Sequence, residues 1–117
     1  MPAVSLGAMK QFVIAEVKVS DAAWIPAYAA LVHQLVDRHG GRYLARSAPS
    51  RALEGEAPDV TIVALLEFPS LDAVTAFLED PDYAPLQAAR QAGSVSRIYS
   101  LPAQDAVGAI PYLPGPT

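Results

Sequence analysis

Few side chains in this 117-residue chain combine a reactive type with a placement that would let them act. Glu67 stands near the end of the most apolar run, Val60-Thr61-Ile62-Val63-Ala64-Leu65-Leu66-Glu67-Phe68. In an extended strand it shares a face with Val63 and Leu65, which shelters its carboxylate among apolar neighbours. Such a group is either a general base or ligand anchor, or a strand-end carboxylate that is solvated or paired to an arginine. Arg46 is the matching cation. Its guanidinium either holds an anionic ligand bidentately or closes an ion pair with Glu67 or Glu54. Tyr83 falls in the break Asp80-Pro81-Asp82-Tyr83-Ala84-Pro85, where its phenol closes a pocket mouth or packs its ring beneath the loop. Tyr43, on the same segment as Arg46, offers the same choice.

Other chemistries are excluded. There are no cysteines, so thiolate nucleophiles, disulfides and cysteine-based metal sites are absent. His33 and His39 are six apart, which does not place two ligands on one helix face, and no acidic cluster completes a metal set. They read as an exposed helix residue and a helix-end charge. No nucleophile elbow, phosphate loop or dinucleotide fingerprint occurs, and neither a metal nor any other cofactor is expected.

The elements that must carry these residues follow from periodicity. Phe12 to Val19 is rich in β-branched residues and reads as a first strand. Ser20 or Asp21 caps a helix in which Trp24, Tyr28, Leu31, Val32, Leu35 and Val36 recur at helical spacing, a stripe read as core. Pro26 lies in its opening turns, and Gly40-Gly41 stops it. Arg42–Arg46 reads as strand two, with a short extension at Arg51–Glu54 beyond Pro49. Gly55–Asp59 is a turn, and Val60–Phe68 is strand three. Ser70 caps a second helix with Leu71, Val74, Phe77 and Leu78 on its apolar face. A shorter helical turn spans 83–92, and Ser94–Leu101 is strand four. Residues 1–8 read as an unstructured leader. Residues 102–117 form a Pro-rich tail, either disordered or docked on a partner through Ile110–Pro114. The order predicts an α+β, ferredoxin-like βαββαβ sandwich over 9–101, a four-stranded antiparallel sheet with two helices on one face.

Two helices cover only one face of such a sheet. Strand three places Ile62, Ala64, Leu66 and Phe68 on one side, and Val63 and Leu65 on the other. Strand one sets Phe12 and Ile14 against Val13, Ala15, Val17 and Val19. Strands apolar on both faces are buried on both, so a second copy of the chain is expected to cover the open side, as a homodimer packed sheet on sheet. Composition agrees: 52% of residues are hydrophobic and only 17% charged, a surplus even after allowing for 22 alanines. Twelve acidic against eight basic residues, a net charge of −4, argue against nucleic-acid or anionic-membrane partners. No membrane span or export signal is recognised, which makes the cytoplasm the expected location.

FVIAEVKVSD (12–21) after Met9-Lys10, HGGRYLAR (39–46), LEGE (53–56), LLEFPS (65–70) and DPDYAPLQAAR (80–90) resemble the domain of unknown function 1330 family. Ser47-Ala48-Pro49-Ser50 stand where glycines often follow in that family. The resemblance implies a small ferredoxin-like protein that forms a dimeric α+β barrel, and no particular activity. Distant relatives of that barrel include cofactor-free oxygenases, lactone isomerases and haem-degrading enzymes. Two functions are therefore expected. One is a cofactor-free enzyme acting on a small hydrophobic, carbonyl-bearing or aromatic metabolite, with Glu67 and Arg46 as polar participants and Tyr43 and Tyr83 lining the pocket. The other is a non-catalytic ligand-binding or accessory protein using the same pocket or the dimer surface.

Overall fold

The computed structural model describes residues 6–48 and 50–105, so most of the leader and tail readings lie outside the described residues. Within it, the leader's Leu6–Ala8 form a 3-10 turn. The strands are β1 (Gln11–Val19), β2 (Arg42–Ser47), β3 (Ile62–Phe68) and β4 (Ser94–Pro102), and the helices α1 (Ile25–Arg38), α2 (Leu71–Leu78) and α3 (Ala84–Gly93). Strand order is β2-β3-β1-β4 with every neighbour antiparallel, which is the ferredoxin-like α+β fold. Each half contributes two parallel strands separated by a strand of the other half, so neither half can form the sheet alone.

Local chemistry sets the ends of the helices. The Asp21 carboxylate accepts from the Ala23 amide at 2.9 Å and caps a 3-10 turn, Ala22–Trp24, that leads directly into α1. Pro26 sits in the first turn of α1, where its missing N–H costs nothing. Gly40 stops α1 at φ +77°, its amide donating to Asp37 O and that of Gly41 to Val36 O, both at 3.0 Å. That pair of bonds is a Schellman closure. Ser70 caps α2 by accepting from the Ala73 amide at 3.1 Å. The helical turn expected at 83–92 is a full ten-residue helix. The extension expected at Arg51–Glu54 is not a strand: Leu53 is 92% exposed, so the segment has no face to bury.

All three helices lie on one side of the sheet. Val13, Ala64, Leu66 and Phe68 meet Val32, Leu35 and Val36 of α1, Val74 and Phe77 of α2, and Leu86 of α3 in one core. Fully burying a side chain of this kind contributes about 1.5–3 kcal/mol. Leu31, expected in the same stripe, is instead half-exposed. The chain passes close to the sheet where α1 ends. A Cβ on Gly41 would stand 2.5 Å from the ring of Phe68, which is buried and would have to shift. Gly41→Ala should therefore destabilise the fold by about 1–3 kcal/mol, measured as a shift of the urea midpoint at unchanged slope. An unshifted midpoint would mean that the ring yields.

Candidate functional site

Between the sheet and the helices lies a cavity of about 330 Å³. Val13, Ala15 and Val17 of β1 and Ile62, Ala64 and Leu66 of β3 form its floor, while Trp24, Tyr28 and Val32 stand over it from the other side. The floor residues pair directly across the strands, Val13 with Leu66, Ala15 with Ala64 and Val17 with Ile62. The small side chains of the central pair, Ala15 and Ala64, leave space there that larger residues would fill. Leu78 and Ile98 line the cavity while remaining over a third exposed, so it opens between α2 and β4.

The polar groups of the lining are mainly phenols and guanidinium groups. Tyr83, 1% exposed, places its hydroxyl 2.8 Å from that of Tyr28. Trp24, Tyr28, Tyr83 and Phe77 continue as a file of rings, with centroids 5.2, 6.1 and 4.4 Å apart. Trp24 Nε1 donates to Gly93 O at 3.2 Å and fixes the outer end of that file against α3. Burial, reinforced by the neighbouring Tyr83, pushes the Tyr28 phenol well above its ordinary range. Burial likewise pushes Tyr43 up to about 12, against the pull of the Arg46 charge. The Arg46 guanidinium lies 4.0 Å from the centre of the Tyr43 ring and donates to His33 Nδ1 at 3.1 Å. Arg90 comes from the buried face of α3, with 4% of its surface exposed. Its Nη1 donates to the Ser96 hydroxyl, and its backbone carbonyl accepts from Ser94.

Of the residues expected to act, Tyr43, Tyr83 and Arg46 line the cavity, and Glu67 does not. The Glu67–Arg46 pair is not formed. Glu67 does share a face with Val63 and Leu65, but that face is the one turned away from the helices, and there it pairs with Arg42 and, at 3.5 Å, with Lys10. The bond from Arg42 leads in holding its carboxyl below the usual range. Arg46 departs because β2 carries a bulge: Tyr43 faces Leu66, yet Ala45 faces Leu65. One extra residue moves everything beyond it to the opposite face, so Arg46 joins Tyr43 beside the helices. Tyr28 and Arg90 were not anticipated as site residues. Their signal lay in helical spacing, since Tyr83, Leu86 and Arg90 fall on one face of α3 and put a cation in an apolar stripe.

Tyr83 is held by the corner between α2 and α3. Asp80, whose side chain is 5% exposed, accepts from Arg38 Nη1 and His39 Nε2, both at 2.8 Å, and from the Asp82 amide at 2.9 Å. The Tyr83 amide donates to Asp80 O at 2.9 Å. The break anticipated at 80–82 is thus also a clamp that ties the end of α1 to the start of α3.

Comparison with known proteins agrees with this architecture. The family model described as domain of unknown function (DUF1330) matches residues 10–103, and the chain belongs to that family. No curated protein matches the chain. Among solved structures it is similar to RPA0582, a protein of unknown function from Rhodopseudomonas palustris. The TM-score is 0.72 at 21% identity, over 84% of this chain and 85% of that one. It is also similar to SnoaB, a cofactor-independent oxygenase from Streptomyces nogalater. Here the TM-score is 0.60 at 18% identity, over 87% of this chain and all of that one. Both likenesses are of fold. Among the described residues no helix is long and apolar enough to cross a membrane, and no group of His, Cys, Asp and Glu is arranged to hold a metal.

The Asp80 clamp makes a pH-dependent prediction. The bond from His39, followed by that from the Asp82 amide, lowers its carboxyl from 3.8 to about 2. A pKa depressed by folding stabilises the fold above the unfolded value and ceases to do so as pH falls through the folded one. Asp80→Asn should therefore lower the melting temperature at pH 7, and the gap from the parent should narrow from about pH 4 downward. A gap that stays constant to pH 2 would mean that the charge of Asp80 does not matter.

Proposed function

We propose that this protein is a cytoplasmic homodimer that binds a small hydrophobic molecule in the cavity between its sheet and its helices. The cavity carries the reading. Its volume of about 330 Å³ falls within the range of small-molecule sites, roughly 300–1,000 Å³, and its apolar walls hold a few inward polar groups. Tyr28, Tyr43 and Tyr83 are the residues that orient the ligand. A catalytic role, as a cofactor-free enzyme on a carbonyl-bearing or aromatic compound, is supported by the Tyr28–Tyr83 hydroxyl pair, which can donate to an oxyanion as it forms. The fold shared with SnoaB is in keeping with that role. Glu67 has no part in it and belongs to the dimer surface.

The homodimer rests on the other side of the sheet. Phe12, Ile14, Val63 and Leu65 form an apolar strip there, continued by the half-exposed Tyr99 and Leu101 on β4. Polar side chains frame it as cross-strand pairs: Glu16 with Arg97 and with the Tyr99 hydroxyl, both at 2.7 Å, and Glu67 with Arg42. A strip with its charges already paired suits a second copy better than it suits water.

Two measurements test these statements. Light scattering at micromolar concentration should give twice the chain mass of 12.3 kDa, and Leu65→Lys should halve the particle. A parent protein that runs at the single-chain mass would remove the dimer. For the cavity, a small aromatic compound at a hundred times its Kd adds about 2.7 kcal/mol of stability, or roughly 10 °C of melting temperature. Ala64→Leu, which fills the floor, should fold and lose that shift. If a broad panel of small aromatic compounds leaves the melting temperature unmoved, the cavity does not bind such ligands.

A further inference from the structure

The cavity contains a cation for which the described residues around it supply no counter-ion. Arg90 is 4% exposed and lines the cavity. Its Nη1 is used by Ser96, while Nε has no hydrogen-bond partner among the described residues. Among the described residues lining this cavity and the adjoining hollow beside β4 there is no carboxylate, and the second charged group, Arg46, is another cation. Burial pushes the Tyr28 and Tyr43 phenols above their ordinary range, away from the charged form. Acids are not scarce, since the chain carries a net charge of −4. They stand elsewhere, with Glu16 and Glu67 on the opposite face of the sheet and Asp80 in its clamp. An arginine cannot shed its proton, and a buried charge is costly unless paired.

We infer that Arg90 is the anchor for an anionic ligand, an apolar ring bearing one carboxylate-type oxyanion. The ring lies over Ala15 and Ala64, and the oxyanion pairs with the guanidinium of Arg90, whose Nε–H has no partner among the described residues. This rests on the cavity being a ligand site and adds the chemical class of what enters it. Arg90 is suited to the role because Ser96 holds one arm of its guanidinium and α3 holds its backbone. The donor is therefore oriented before a ligand arrives. Arg46, exposed at the β2 rim and engaged with Tyr43 and His33, adds positive potential without being the anchor.

Two probes with the same ring separate the possibilities, 2-naphthoate and its neutral counterpart 2-naphthamide, titrated calorimetrically into the full-length protein. The naphthoate should bind about tenfold to a hundredfold more tightly, the usual margin of a charge-assisted hydrogen bond. Arg90→Met should bring it down to the level of the amide while leaving amide binding in place, and Arg46→Met should preserve the preference. Should Arg90→Met fail to fold, the Nε–H resonance of Arg90 in the parent protein serves instead: naphthoate should shift it and naphthamide should not. Equal affinity for the two probes, or a preference abolished by Arg46→Met alone, would overturn the role of Arg90 and leave the cavity as a ligand site. Binding of neither probe would overturn both.

Discussion

Antiparallel pairing on both sides of β1 sorts the side chains of this molecule into two compartments. β1 is bonded to β3 along Gln11–Val17 and to β4 along its whole length, so its alternation is imposed on both neighbours. Odd positions of β1 and even positions of β3 point at the helices, and the remainder point away. A slip of one residue in either ladder would exchange the compartments wholesale. The cavity floor, the core and the outward apolar strip are therefore consequences of one register. The sheet departs from it once, at the bulge in β2, and that is where Arg46 changes sides.

Much of this register is legible in the residues themselves. The double-sided apolar character of 12–19 and 62–68 gives both the strands and the faces on which their side chains fall. Gly40-Gly41, Ser70 and Asp21 mark helix ends by capping chemistry that depends only on neighbouring atoms. The site is less legible, because its parts meet through long-range pairing. Glu67 and Arg46 look like partners as long as strand two is assumed to alternate regularly. A bulge has no compositional signature in Arg42-Tyr43-Leu44-Ala45-Arg46, so nothing local announces that the second arginine turns inward. Arg42, four residues earlier and directly across from Glu67, takes the carboxylate instead. Tyr28 and Arg90 were visible as residues at buried helical positions. What they meet depends on α1 and α3 being brought over the same patch of sheet.

The result is a molecule whose inside and outside differ in electrical character. Its acids are spent on pairs, at Glu16, Glu67 and Asp80, or face solvent. The lining of its cavity combines apolar walls with hydroxyl and guanidinium groups. In a low-dielectric enclosure each of those donors acts more strongly than it would in water. Three tyrosines arriving from α1, β2 and the α2–α3 corner converge on that enclosure. Of these, only Tyr43 is placed by the sheet, through its pairing with Leu66. The Asp80 clamp and the close approach of Gly41 to Phe68 matter to the site because they fix how the helical layer sits over the floor.

The alternation along β1 and β3 also bears on how such a protein can diverge. Exchanging Ala15 or Ala64 reshapes the chamber and leaves the outward strip intact, while exchanging Ile14 or Leu65 alters the strip and leaves the chamber intact. Neighbouring positions thus answer to separate constraints, one set by the chamber and one set by the outward face. A lineage carrying this sheet can reshape its cavity without altering its outer face, and the reverse.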